Sequence, residues 1–338
     1  MNQELLRFAV ALAAGSIGGA LAMYLHMPAP ALVGSTIAVT ICALMGAKPQ
    51  VPNIWRNTAF AIIGLTLGAG ITPTILSDIS RFSLSLVLLT VTLVIATLVA
   101  TLILKRFFAT DSTTALLATS PGALSYALVL AVDKKADIQT VTVLQGIRLF
   151  AITVFLPPLV TVLGGELPSS THAEASTSVI VSLVLLVGAF LLAKLFEKFN
   201  LPAAWLIAGL IVSGIAHGAG WVNGRPWEPI LFIGFVVAGG VIGSRFGQFK
   251  ASELRKLAVA GVVLSTLAIS ISAIASALAA PILGVPFGQV WVSYAPGGVE
   301  GMAAIALSLG YDPVFVATHH IFRLFMLIII LPLIIAKR

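Results

Sequence analysis

Apolar runs close to 20 residues long recur from Leu5 to the end of this 338-residue chain, and no other feature restricts its fold as strongly. That length crosses a hydrocarbon core of about 30 Å as a helix. Lipid offers no hydrogen bonds to a bare backbone, so segments of this kind must satisfy their own N–H and C=O groups by coiling. Charged residues make up 9% of the chain and hydrophobic ones 59%, where a soluble domain carries roughly 25% charge. The expectation is an all-α integral membrane protein, multi-pass, in the bacterial inner membrane, with the lipid bilayer as its surroundings. The first run, Leu5 to Leu25, follows Arg7 and has the look of a signal peptide, but its counterpart in the second half argues that it is retained.

The net charge of +7 does not point to nucleic acid, because the Lys and Arg residues sit in short loops rather than on one exposed face. The single cysteine, Cys42, excludes an intramolecular disulfide and a cysteine metal cage.

The chain repeats itself. At an offset of 175, residues 119–159 and 294–334 share ten identities over 41 positions, among them Pro121/Pro296, Gly122/Gly297, Asp137/Asp312, Arg148/Arg323 and Pro157/Pro332. Near that offset 27–33 resembles 201–207, and 63–70 resembles 233–240. Residues 1–163 and 177–338 read as two copies, joined by a polar linker at 164–176. Each copy holds six apolar segments: 5–25, 29–46, 56–72, 82–104, 114–132 and 138–163, then 177–196, 201–217, 228–243, 257–280, 287–308 and 313–336.

Short basic loops mark the cytoplasmic side of a membrane protein. Lys105-Arg106 and Lys134-Lys135 flank 114–132, so both ends of that segment lie on one side and it enters and returns. Its copy, 287–308, then does the same. With both segments re-entrant, 15 of 19 basic residues are cytoplasmic, Arg81 and Arg225 are outside, and Arg148 and Arg323 lie within the membrane. Each half becomes about five crossings plus one Pro/Gly-broken re-entrant hairpin. Five crossings reverse the second copy, giving inverted repeats, both termini cytoplasmic and an extracytoplasmic linker. Secondary transporters are built this way, with sites near the midplane.

Candidate chemistry sits at the breaks, Ser120-Pro121-Gly122 and Ala295-Pro296-Gly297-Gly298. Proline removes a donor and glycine frees the backbone, leaving helix-terminal groups that can hold an ion or serve a kink. Glu300 follows the second break, with Ser125 at the matching place in the first; a carboxyl there suits a coupling role or a pair with an arginine. His319 and His320 share a helical face with Arg323 and can relay a proton, donate hydrogen bonds or, less suitably, bind zinc. Arg148 and Arg323 lie about 15 Å into apolar helices; they either hold the broken backbone or select a small anion by forked hydrogen bonding. Asp137 and Asp312, the latter followed by Pro313, read as N-caps. The glycine runs 64–70 and 239–243 read as sites of close helix packing, with an unwound stretch at 66–73.

The runs Ala295-Pro-Gly-Gly-Val-Glu-Gly-Met302 and Asp312 to Arg323, with Ser120 to Tyr126 and Gln145 to Arg148 in the first half, resemble the membrane AbrB family over nearly the whole chain. That resemblance implies a duplicated membrane domain. Members are labelled regulators of gene expression or ammonia monooxygenases, and the copper or iron ligand cluster that the second label needs is not visible in these residues. The functional expectation is a secondary-active transporter of a small solute, an organic anion such as a carboxylate, coupled to protons. The alternatives are a membrane regulator without transport and a metal-dependent monooxygenase. No enzyme activity, cofactor or metal is expected; the partner is a small-molecule or ion substrate, and the chain could pair as a homodimer.

Overall fold

A computed structural model describes residues 3–71, 75–121, 124–164 and 176–336. Gly122 lies outside the described residues, as do the side chain of Ser125 and nearly all of the 164–176 linker. Among the described residues the regular elements are helical: α1 (Gln3–Tyr24), α2 (Pro30–Leu44), α3 (Asn53–Ala69), α4 (Ile75–Phe107), α5 (Ser112–Thr119), α6 (Leu124–Asp133), α7 (Ile138–Leu163), α8 (Val179–Lys198), α9 (Ala204–Gly218), α10 (Glu228–Ser244), α11 (Ala251–Leu283), α12 (Phe287–Tyr294), α13 (Val299–Ser308) and α14 (Pro313–Ala336), with one 3₁₀ turn at Arg245–Gln248. An isolated bridge joins Ser176 to Arg225.

Seven of these helices are long and apolar enough to cross a membrane: α1, α4, α7, α8, α10 with its 3₁₀ turn, α11 and α14. The remaining long elements, α2, α3 and α9, have 15, 17 and 15 residues. Helices α4 and α11 reach 33 residues, about 50 Å at 1.5 Å per residue, and so exceed the apolar runs at 82–104 and 257–280. Their extra turns carry the charges that lipid rejects, Lys105 and Arg106 on α4 and Glu253, Arg255 and Lys256 on α11. Helix α3 continues through Ala69, so Thr66 is helical and the expected unwinding does not begin there; residues 72–74 lie outside the described residues.

Helix lengths run 22, 15, 17, 33, 8, 10 and 26 residues from α1 to α7 and 20, 15, 17, 33, 8, 10 and 24 from α8 to α14. The backbone repeats in finer detail. Every described residue of positive φ has a counterpart 174 to 176 positions away: His26/Asn200, Ala29/Ala203, Gly46/Gly220, Lys48/Gly224, Ala109/Gly284 and Lys135/Gly310. Left-handed backbone is costly for residues with a Cβ, so its recurrence at corresponding turns reflects common loop geometry rather than local preference.

Two units divide the chain, and each draws on both halves. The first contains residues 1–80, 166–248 and 300–317. Within it, α3 lies on α9 and α2 on α10, so each half supplies one helix to each pair. Glycines set the approach. A Cβ on Gly64 or Gly209 would collide with the carbonyl oxygen of Leu206 or Ala61 across the α3–α9 contact, and one on Gly239 would strike Ser35 across α2–α10. The expected role of both glycine runs in close packing is met here. The second unit contains residues 81–165, 249–299 and 318–338. There α7 contacts α5, α6, α11 and α12.

Candidate functional site

Both broken segments begin with the same local event. Ser120 and Ala295 precede prolines and take extended backbone, φ/ψ −62°/126° and −60°/135°, as C-caps of α5 and α12. The residue before proline is biased away from the helical region, and each helix ends at Pro121 or Pro296, whereas α7 runs on through Pro157 and Pro158 and α11 through Pro281. Helices α5 and α12 have 8 residues and α6 and α13 have 10, about 12 and 15 Å, too short to span a bilayer alone.

A buried helix end leaves carbonyls to satisfy. The carbonyls of Leu117 and Val292 would normally accept from the residue four positions on, but those residues are Pro121 and Pro296, which have no N–H. A side chain from the following long helix supplies the donor instead. Gln145 Nε2 donates to the Leu117 carbonyl at 2.7 Å. The matching residue in the second half, His320, donates from Nε2 to the Val292 carbonyl at 3.0 Å. One turn further along, Arg148 Nη1 donates to the carbonyls of Thr119 at 3.2 Å and Ser120 at 3.3 Å. Arg323 donates from Nη1 to Ala295 at 3.0 Å and from Nη2 to Gly297. Both guanidiniums are buried, at 6% and 2% exposure. Each lies at a helix C-terminus, where the backbone dipole is negative and a cation is favoured.

Of the two roles considered for the arginines, the hydrogen bonds display bracing of the broken backbone. Arg148 also forms part of a cavity wall, and its Nε has no hydrogen-bond partner among the described residues. The cavity, within the second unit, is bounded by Pro121 and Pro296 together, so both breaks meet it. Thr97, Thr119, Ser272 and Tyr294 join them in the wall. Its volume of about 30 Å³ has room for roughly two waters.

His319 follows a different arrangement from its neighbour. Its Nε2 lies 2.7 Å from Ser85 Oγ, which is 3.1 Å from the Tyr294 hydroxyl, and that hydroxyl donates to the Ser85 carbonyl at 2.9 Å. His319 is fully buried in this group. The structure thus brings Ser120, Pro121, Arg148, Pro296, Gly297, His319, His320 and Arg323 into the second unit; Gly298, half-buried, follows them in the same unit. Glu300 belongs to the first unit, where its charge acts on Arg245. Asp137 and Asp312 cap α7 and α14 as expected. Asp137 Oδ1 accepts from Gln139 and Thr140 N–H at 3.0 and 3.1 Å, and Asp312 Oδ1 from Val314 and Phe315 N–H at 2.8 and 3.1 Å.

Sequence reasoning gave Gln145 no role beyond the family motif and passed over Ser85 and Tyr294. Gln145 was within reach, because it stands 175 residues before His320 and carries a donor. The Ser85–Tyr294 contact joins residues 209 positions apart, and nothing local in either segment announces it.

Comparison with known proteins adds two relatives. One, named "Uncharacterized protein YhjN", from Bacillus subtilis (strain 168), is 23% identical over 295 residues, covering 82% of this chain and 77% of the relative. The other, "Putative regulator AbrB" from Escherichia coli (strain K12), is 24% identical over 315 residues, covering 90% of this chain and 88% of its own. The sequence profile described as transition state regulatory protein AbrB matches residues 31–337, and the chain therefore belongs to the AbrB family.

Proposed function

We propose that this protein is a secondary-active transporter of a small organic anion, a carboxylate being the best-suited class, with coupling to protons. The observation that carries the reading is the cavity on which both proline breaks converge with Arg148 in its wall. A guanidinium beside a mostly apolar cavity with a few hydroxyls in its wall is suited to an anion. A volume of about 30 Å³ is too small for a carboxylate, which enters only when the helices part, as alternating access requires. Broken helices facing each other from related halves are the usual setting for such sites.

The same reading assigns ten crossings, adding α2, α3 and α9 to the seven longer helices. Residues α5–α6 and α12–α13 form the re-entrant hairpins, entering from opposite faces, with both termini cytoplasmic in the bacterial inner membrane. Gly122, Ser125, Gly297 and Gly298 belong to the substrate-bearing breaks. His319 and Glu300 carry the coupling proton more readily than His320, whose ring nitrogen braces α12.

Flux in proteoliposomes tests the function. Labelled carboxylates should accumulate when an inward proton gradient is imposed. Uptake that ignores pH and follows sodium removes the proton coupling; intact protein that moves no carboxylate under either gradient removes the transporter reading. Cysteines introduced at 165–175 should label from the periplasm and those beside Lys134 or Lys250 should not, and the reverse pattern defeats the topology. The name of the E. coli relative supplies a second reading, a membrane regulator. A transcriptional response that persists in a flux-dead variant would favour it.

A further inference from the structure

A second, larger hollow lies in the same unit. It is a cleft of about 400 Å³ at the end of the unit that carries Asp111, Asp137, Glu253 and Lys256. The same four helices, α4, α5, α7 and α11, form the walls of both this cleft and the small cavity. On each helix the two hollows are separated by one turn. On α4 the cleft ends at Leu104 and the cavity begins at Ala100; on α5 the pair is Thr114 and Ala118. On α7 it is Thr140 and Leu144, and on α11 it is Ala260 and Leu264. Four residues advance about 6 Å along a helix and return to the same face. Four coincident steps of this kind place the hollows in line, with a partition one helical turn thick between them.

The partition is apolar. Leu104, Leu144 and Leu264 are exposed by 0%, 2% and 6% and belong to one core cluster with Ala118 and Ala260. Side-chain hydrogen bonds at this level, Thr101 to Thr119 and Gln145 to the Leu117 carbonyl, tie α4 and α7 to α5; the three leucines make none. The duplication repeats this layer on the other half of the unit. Leu264 corresponds to Leu89, Leu104 to Ala279, Ala260 to Ser85 and Leu144 to His319 at an offset of 175. Leu89 and Ala279 lie in a core cluster with Tyr294, and Ser85 and His319 are hydrogen-bonded as described. One layer is apolar, and the corresponding one is polar.

We propose that the cleft and the cavity are two parts of a single solute path, shut by the Leu104–Leu144–Leu264 layer acting as an apolar gate. Narrow apolar constrictions close by excluding water and open when the lining side chains withdraw. The charge of the cleft does not bar an anion, since Asp111 and Asp137 are countered by the helix N-termini they cap, Asp137 also by Lys256, and Glu253 by Lys250 at 3.9 Å. The inference rests on the transport reading for its physiological meaning but not for its test.

The test uses the full chain, purified in detergent, in a Cys42→Ala background. Single cysteines at Gln139, in the cleft wall, and at Ala268, in the cavity wall, are reacted with a small charged methanethiosulfonate. The Gln139 cysteine should react fast and the Ala268 cysteine slowly. Leu144→Ala or Leu264→Ala should speed the Ala268 reaction by roughly tenfold or more, as expected when the closed layer loses its advantage. Leu331→Ala, which truncates a leucine of the same cluster outside both walls, should leave it slow. Two leucine variants are used so that one surviving in folded form decides the matter. The proposal is overturned if the Ala268 cysteine reacts as fast as that at Gln139 without any gate substitution. It is equally overturned if folded gate variants leave the reaction slow, or if Leu331→Ala accelerates it as much. A protein that labels as expected yet moves no solute keeps the path and loses the transport function.

Discussion

At the residue scale, four side chains do parallel work in the two halves, and the parallel predicts unequal tolerance to substitution. His320 makes the bond that Gln145 makes, to the carbonyl that a proline has deprived of its donor. His320→Gln should therefore fold with thermal stability within about 0.5 kcal/mol of the parent, whereas His320→Ala should lose about 1–3 kcal/mol by stranding the Val292 carbonyl. Thermal unfolding in detergent separates the two, and a glutamine variant as damaged as the alanine one would show that the ring does more than brace. The arginines differ as well. Arg148 reaches both of its carbonyls through one nitrogen, while Arg323 uses two. A lysine ammonium can replace one nitrogen but not a fork. Arg148→Lys should cost roughly 1 kcal/mol and Arg323→Lys roughly twice that, from charged hydrogen bonds worth about 1.5–3 kcal/mol each. Equal losses in unfolding measurements would contradict the geometry. If the transport reading holds, both lysine variants should still move the anion poorly.

At the scale of elements, much was legible because its causes are local. Pro121 and Pro296, each followed by glycine, end α5 and α12 in line with the bias on the preceding residue, which Pro157, Pro158 and Pro281 inside α7 and α11 show to be no bar by itself; Asp137 and Asp312 cap α7 and α14 as their positions suggest. Lipid-facing and buried leucines read alike in an apolar sequence, so Leu104, Leu144 and Leu264 could not be told from their neighbours before the helices were placed. The caps give the pH prediction. Asp111 and Asp137 are raised by partial burial, but hydrogen bonds to Thr114 and Thr113, and to Thr140 and Gln139, outweigh that, with Lys256 assisting at Asp137; both carboxyls lie below their ordinary value of 3.8. A depressed folded value stabilises the protein above the unfolded one. That contribution is complete above about pH 5, declines as pH falls through 3.8, and is gone below the folded values. Asp137→Asn should cost little at neutral pH, because asparagine also caps, and should flatten the acid limb of stability between about pH 5 and 3. An unchanged acid limb in the Asn variant would remove Asp137 from the account.

At the scale of the whole molecule, the sequence suggested two halves and the fold has two units that are not those halves. Similarity along the chain reports copying, whereas contacts report where apolar and glycine-bearing faces meet, and here they meet across copies: α3 on α9, α2 on α10, α11 on α7. A glycine such as Gly64, with the Leu206 backbone pressed against it, is fitted to the other half and to nothing in its own. Individual apolar helices insert into lipid independently, but their packing comes afterwards and needs the partner surfaces. The chain divided within 165–175 should therefore yield two fragments that each insert and are each degraded when expressed alone, since each lacks the helices that cover its glycine faces and its α7 or α11 contacts. Expressed together, they should co-purify through a tag on one fragment and recover the unfolding transition of the intact chain. A single fragment that accumulates, resists protease and runs as a monodisperse monomer would show that one half is a folding unit by itself, and the exchange of helices between halves would then be a feature of assembly rather than a requirement of folding.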